Sequence, residues 1–183
     1  MSKQRSYPTN HQPKAILQNT ASEIAGPRVL GEPRDMHLDE QSARLILESS
    51  HAAWSRGDVD GVLNHFVDDI TYFCNTGGPD GGPLAIVGKQ AYRQILQQIL
   101  DVAEGVSIID YFRFDDGVGR ASIECYIRHK TSCHTLSGSY RQLVIYSGNR
   151  IARLEEFHDA AKMIAFWRMI SGEAAIEKAL LAE

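Results

Sequence analysis

A chain of 183 residues with 43% hydrophobic side chains is long enough for one domain with a proper core and too apolar to be disordered throughout. Its net charge of −4 supplies no basic face of the kind that binds nucleic acid. No apolar stretch approaches the roughly 18 residues that a membrane helix needs, so no membrane partner is expected.

In chain order, Met1 to Asp35 holds Pro8, Pro13, Pro27 and Pro33 among polar and small residues. It cannot bury enough surface to offset its ordering entropy, and a loose N-terminal arm over 1–35 is expected, removable without loss of the fold. From Asp39 the pattern turns helical: Ala43, Ile46, Leu47, Ser50, Ala53 and Trp54 recur at steps of three and four. Gly57 ends this helix and Asp58 caps a short second one with Val59, Val62, Leu63 and Phe66 on its apolar side. Ile70 to Cys74 reads as a strand, and Thr76 to Gly88, rich in Gly and Pro, as a loop. Gln90 to Val102 is helical again through Tyr92, Ile95, Leu96, Ile99 and Leu100.

Four β-rich runs follow, Val106–Phe114, Arg120–Lys130, Ser139–Tyr146 and Arg150–His158, separated by turn signals such as Asp115-Asp116-Gly117 and Gly148-Asn149. Sequential strands with short links predict an antiparallel meander. Ala160 to Ile170 closes the domain as a helix with Met163, Ile164, Trp167 and Ile170 on its apolar face, and 173–183 reads as a tail. Helices first and an antiparallel sheet after is the α+β pattern, with one domain over 36–172.

Cys74, Cys125 and Cys133 are odd in number and without tight spacing. They argue against a disulfide framework and suit a reducing compartment. Lys3, Arg5 and Lys14 precede no apolar secretory core, so a cytoplasmic location is expected. His129, Cys133 and His134 cluster at a hairpin end, with Cys125 and Cys74 elsewhere. They lack four-ligand zinc spacing, and no metal site or cofactor is expected. The Gly77–Pro83 run has no lysine or helix start in P-loop order and reads as a rim or lid loop.

Glu156, His158 and Asp159 form the densest polar cluster of an apolar region. Strand alternation puts Glu156 and His158 on one face with Ala152 and Leu154, and Arg153, Glu155 and Phe157 on the other. Glu156 is either a functional acid with a raised pKa or the partner of an arginine such as Arg141 or Arg128. Tyr72 is a strand aromatic whose hydroxyl could donate. Cys74 reads as a small buried hydrophobe with no activating base nearby in sequence.

Four phrases in order, Ser55–Phe73, Gly88–Leu96, Gly148–Asp159 and Ala160–Ile170, resemble the SnoaL-like branch of the nuclear-transport-factor-2-like superfamily over about Asp39 to Gly172. The resemblance implies a cone-shaped α+β barrel, a curved sheet packed against three N-terminal helices, an internal pocket and a homodimer. It implies that the Glu156 face turns inward and that Ser50, Trp54, Tyr72, Cys74, Gln142 and Leu154 line the pocket. The steroid isomerases of this superfamily use a tyrosine, an aspartate base and a protonated aspartate. These positions carry Ser50, Cys74 and Arg141 or Gln142 here, which argues against that activity. Against the epoxide hydrolases, Tyr72 and Glu156 match, Glu124 stands for a middle acid, and Cys74 and Ser122 replace the asparagine and arginine. The cyclases' acid falls near Glu156, and their histidine position holds Gln142.

Two functions are therefore expected to compete. One is cofactor-free acid–base chemistry, as a lyase, isomerase or hydrolase, on a small apolar oxygenated molecule. Glu156 would move the proton there, Tyr72 would orient the substrate and His158 would assist. The other is a non-catalytic binding or dimeric assembly domain.

Overall fold

A computed structural model describes residues 38–78 and 81–180, with side chains described as far as Ser171. The expected arm over 1–35 lies outside the described residues. Helix α1 (Glu40–Ser55) starts where Asp39 accepts the Ser42 amide at 2.7 Å, which satisfies one of the free N–H groups of its first turn. Gly57, at φ +70°, ends it, and Asp58 accepts the Gly61 amide at 2.8 Å to begin α2 (Val59–Leu63).

Strand β1 (Phe66–Cys74) begins four residues before the expected Ile70. The exposed pair Asp68-Asp69 hides that start from an apolar pattern, although Phe66 is fully buried. The expected loop contains a short edge strand, β2 (Leu84–Val87), paired antiparallel with β1. Helix α3 (Lys89–Val102) follows. Then come β3 (Ala103–Asp115), β4 (Val118–His129), β5 (Thr135–Ser147) and β6 (Arg150–Phe157). Helix α4 (Ala160–Leu180) runs ten residues beyond the expected Ile170, and Gly172 does not stop it.

The six strands form one curved sheet in the order β2-β1-β6-β5-β4-β3. Only β1 and β6 run parallel, which the long path from β1 round to β6 permits. The architecture is α+β, and the inner sheet face packs its buried residues against α1, α2 and α3. Register shifts bend the sheet in three pairings, β1–β6 between Phe66 and Thr71, β3–β4 and β5–β6. In β3 the register shifts between Ile109 and Tyr111, so Ile109 and Phe112 both point inward. In β6, Arg153 faces Ile145 and Ile151 faces Tyr146, leaving Ala152 as the extra residue. Ile151 and Leu154 are therefore both buried, and Ile151 takes the inward place that strict alternation assigns to Ala152.

Candidate functional site

Sheet register builds the site. Cys74 of β1 lies beside Glu156 of β6, and Glu156 lies opposite Gln142 of β5. Alternation then adds Tyr72 to the same face. His158 follows one step beyond β6, where Asn75 fixes it at both backbone ends. The His158 amide donates to Asn75 Oδ1 at 2.9 Å, and Asn75 Nδ2 donates to the His158 carbonyl at 3.0 Å.

Three donors converge on the Glu156 carboxylate. Tyr72 donates its hydroxyl to Oε2 at 2.8 Å, Gln142 donates Nε2–H to Oε1 at 2.9 Å, and Nε2 of His158 lies 3.3 Å from Oε2. Burial opposes ionisation of Glu156, yet the hydrogen bonds and charge of His158, with Gln142 and Tyr72, outweigh it and hold the carboxyl below its ordinary range. The raised pKa expected for Glu156 is thus replaced by a lowered one, because the acid is partnered. Burial likewise opposes the charged form of His158, but Cys74 and Glu156 beside it push its pKa up to about 9. The pair stands at neutral pH as carboxylate and imidazolium. Burial keeps the Tyr72, Tyr92 and Tyr140 hydroxyls protonated far above their usual range. Tyr72 stacks on Tyr92 at 4.7 Å, and Tyr140 stacks on the His158 ring at 4.2 Å.

These groups face a cavity of about 670 Å³, a size that suits a small organic molecule. Ser50, Trp54, Tyr72, Cys74, Gln142 and Leu154 all line it, as do Glu156 and His158. Glu156 and His158 keep 15% and 11% of their side-chain surface exposed. The remaining wall is largely apolar, with Ile95 and Ile99 from α3 and Ile164 and Trp167 from α4. The glycine-rich segment contributes Gly77, Gly78 and Gly81.

Other expectations change. Among the described residues Glu156 has no arginine partner: Arg128 pairs with Glu104 at 2.7 Å, and Arg141 stands opposite Phe157 on the other side of the sheet. Glu124 is exposed, and it alternates with the buried Ala121 and Ile123 in a way that puts it and Ser122 on the outer face. Glu124 and Ser122, the residues set against the deeper acid and arginine of the epoxide hydrolases, thus lie outside the cavity. At the hairpin end, His129 bonds Ser132 at 2.9 Å and Arg128 contacts Cys133 at 3.1 Å. Among the described residues, the group of His, Cys and acid side chains whose ligand atoms converge is instead Cys74, Glu156 and His158, all within 4.8 Å of one another.

Sequence reasoning missed His51 and Ser107. His51 Nδ1 lies 2.6 Å from Ser107 Oγ and Nε2 lies 3.0 Å from Gln142 Oε1. The available signal was a histidine one turn after Leu47 on the apolar face of α1.

No family profile matches the sequence, and no curated protein matches it. Solved structures do. An NTF2-like protein of unknown function from Burkholderia pseudomallei is 17% identical with a TM-score of 0.61, over 68% of this chain and 95% of that one. A candidate polyketide cyclase from Xanthomonas campestris is 18% identical with a TM-score of 0.60, over 69% and 96%. An LEH-like epoxide hydrolase of M. tuberculosis is 15% identical with a TM-score of 0.57, over 76% and 98%. At these identities the likeness is one of fold, and the chain has the fold of the nuclear-transport-factor-2-like proteins.

Proposed function

We propose that this protein is a cofactor-independent acid–base enzyme of the lyase, isomerase or hydrolase type, acting on a small, apolar, oxygenated molecule held in the cavity. The observation that carries the reading is the convergence of Tyr72, Gln142 and His158 on Glu156 at a cavity wall. A substrate carbonyl oxygen entering beside His158 replaces Oε2 of Glu156 as acceptor of the Nε2 proton. Oε2, relieved of that donor, takes a proton from the carbon beside that carbonyl group. One proton arrives on oxygen and one leaves carbon, so charge on the substrate stays balanced. Tyr72 and Gln142 keep the carboxylate aimed while its partner changes. Fold relatives named for cyclase and epoxide hydrolase chemistry support such a use of the cavity. Three unpaired cysteines support work in the cytoplasm, and apolar side chains on the outer sheet face support a homodimer.

The test needs no prior substrate. In D2O, the purified protein, stripped with chelator, is mixed with small apolar ketones, lactones and esters, and hydrogen–deuterium exchange at the carbon beside the carbonyl is followed by NMR. Exchange above the buffer rate is expected for at least one compound, reduced about 10²–10⁴-fold in Glu156→Gln. Exchange retained by that variant, or absent across the panel, removes the reading. The alternative is a non-catalytic binding domain. It is favoured by the engagement of Glu156, whose two oxygens already accept three donors, and it predicts binding of such compounds without exchange.

A further inference from the structure

We propose that Cys74, Glu156 and His158 bind one divalent ion of the zinc type at the cavity wall. The inference goes beyond the acid–base reading and does not rest on it. The three side chains offer a thiol, an imidazole and a carboxylate, the ligand types zinc takes in sites that keep one open position. Their ligand atoms lie within 4.8 Å of one another.

Geometry favours a tetrahedral ion. With metal–nitrogen and metal–oxygen bonds of roughly 2.0–2.2 Å, the ligand atoms of a tetrahedron stand about 3.3 Å apart. Nε2 of His158 and Oε2 of Glu156 are 3.3 Å apart. Sγ of Cys74 completes the face after a side-chain adjustment of about 1 Å, given its longer bond of roughly 2.3 Å to zinc. Because all three residues line the cavity, the fourth position opens toward it.

The surroundings are those of a supported site. Gln142 holds Oε1 of Glu156 and Tyr72 holds Oε2, leaving Oε2 its second lone pair for the ion. Asn75 clamps the His158 backbone, and Tyr140 stacks on its ring. Such outer partners orient metal ligands. A thiolate and a carboxylate neutralise a dication, and a thiolate with an imidazole selects zinc, cobalt or copper over magnesium and calcium. On binding, the ion takes the place of the proton between His158 and Glu156, and both that proton and the Cys74 thiol proton leave to solvent. A bound ion would occupy both members of the acid–base pair, so the loaded protein is the inactive form.

The experiment uses the full chain, stripped with chelator and titrated with Co²⁺. One equivalent should produce a thiolate-to-cobalt charge-transfer band together with the strong visible bands of tetrahedral cobalt. One equivalent of Zn²⁺ should bleach them. Cys74→Ser should lose the charge-transfer band, while the double variant Cys125→Ser/Cys133→Ser should keep it, so the result holds even if Cys74→Ser folds poorly. A spectrum of aqueous cobalt at millimolar Co²⁺ overturns the site. So does a band lost in the double variant, which would place the ion elsewhere. Neither readout involves substrate, so exchange activity can fail while the site stands, or the reverse.

Discussion

His51 carries a single assignable tautomer. Gln142 must point its Nε2–H at the Glu156 carboxylate, so its Oε1 faces His51. Nε2 of His51 therefore holds the proton, and Nδ1 accepts from Ser107. Burial is the main cause holding the His51 pKa below its ordinary value, against the opposing hydrogen bond of Gln142 and charge of Glu156. A depressed histidine contributes stability that is complete above the unfolded pKa of about 6.5 and lost as pH falls toward the folded one. Urea unfolding at a series of pH values should show stability dropping below about pH 6.5, with a slope of up to roughly 1.4 kcal/mol per pH unit from this group. His65, also pushed down by burial, contributes in the same sense. The His51 share is thus the slope lost in His51→Gln, and an unchanged slope would contradict it. Gln142→Leu strands two groups at once, the Nε2–H of His51 and Oε1 of Glu156. It should cost about 2–6 kcal/mol in the same assay, since each buried orphan costs roughly 1–3 kcal/mol. A loss below about 1 kcal/mol would show that the bridge is not made.

Between β1 and α3, Gly81 packs closely on α4. Gly81 has φ +77°, and a Cβ there would come within 2.5 Å of Ile164 Cγ1. Gly81→Ala should therefore destabilise by about 1–3 kcal/mol. Ile164→Ala in the same chain should recover the steric part but not the backbone strain. Strict additivity of the two losses would mean that loop and helix do not touch. This contact joins residues far apart in the chain, and nothing local announces it. Elements were legible where periodicity was strong: α1, α3 and the four later strands follow from spacing and turn chemistry. What periodicity hid is physical. Asp68-Asp69 masked the first half of β1, a four-residue edge strand sat inside a glycine-rich run, and the β6 bulge broke the alternation that assigned Ala152 inward. The site was partly legible, since Tyr72, Glu156 and His158 share an inward face by parity. The sign of the Glu156 shift was not, because it depends on donors from β1, β5 and the turn after β6.

At the scale of the molecule, the outer sheet face carries several exposed apolar side chains. Ile108, Tyr111, Tyr126 and Phe157 are 61%, 54%, 44% and 43% exposed, and the expected Leu143 and Ile145 are half-buried on the same face. Apolar patches of this kind mark association surfaces. Size-exclusion chromatography with light scattering should give twice the 20.4 kDa chain mass, and Tyr111→Lys with Phe157→Lys should return a folded monomer. A wild-type monomer at tens of micromolar would remove the dimer. The carboxyl carbon of Glu156 reports the charge at the cavity wall directly. Metal-free protein labelled with ¹³C glutamate is titrated by NMR, the Glu156 signal being identified by its loss in Glu156→Gln. A partnered Glu156 gives a carboxylate signal with no titration step down to about pH 5, below which ordinary glutamates protonate near 4.3. A Glu156 carboxyl that takes up its proton above about pH 5, as an unpartnered buried acid would, contradicts the partnered state.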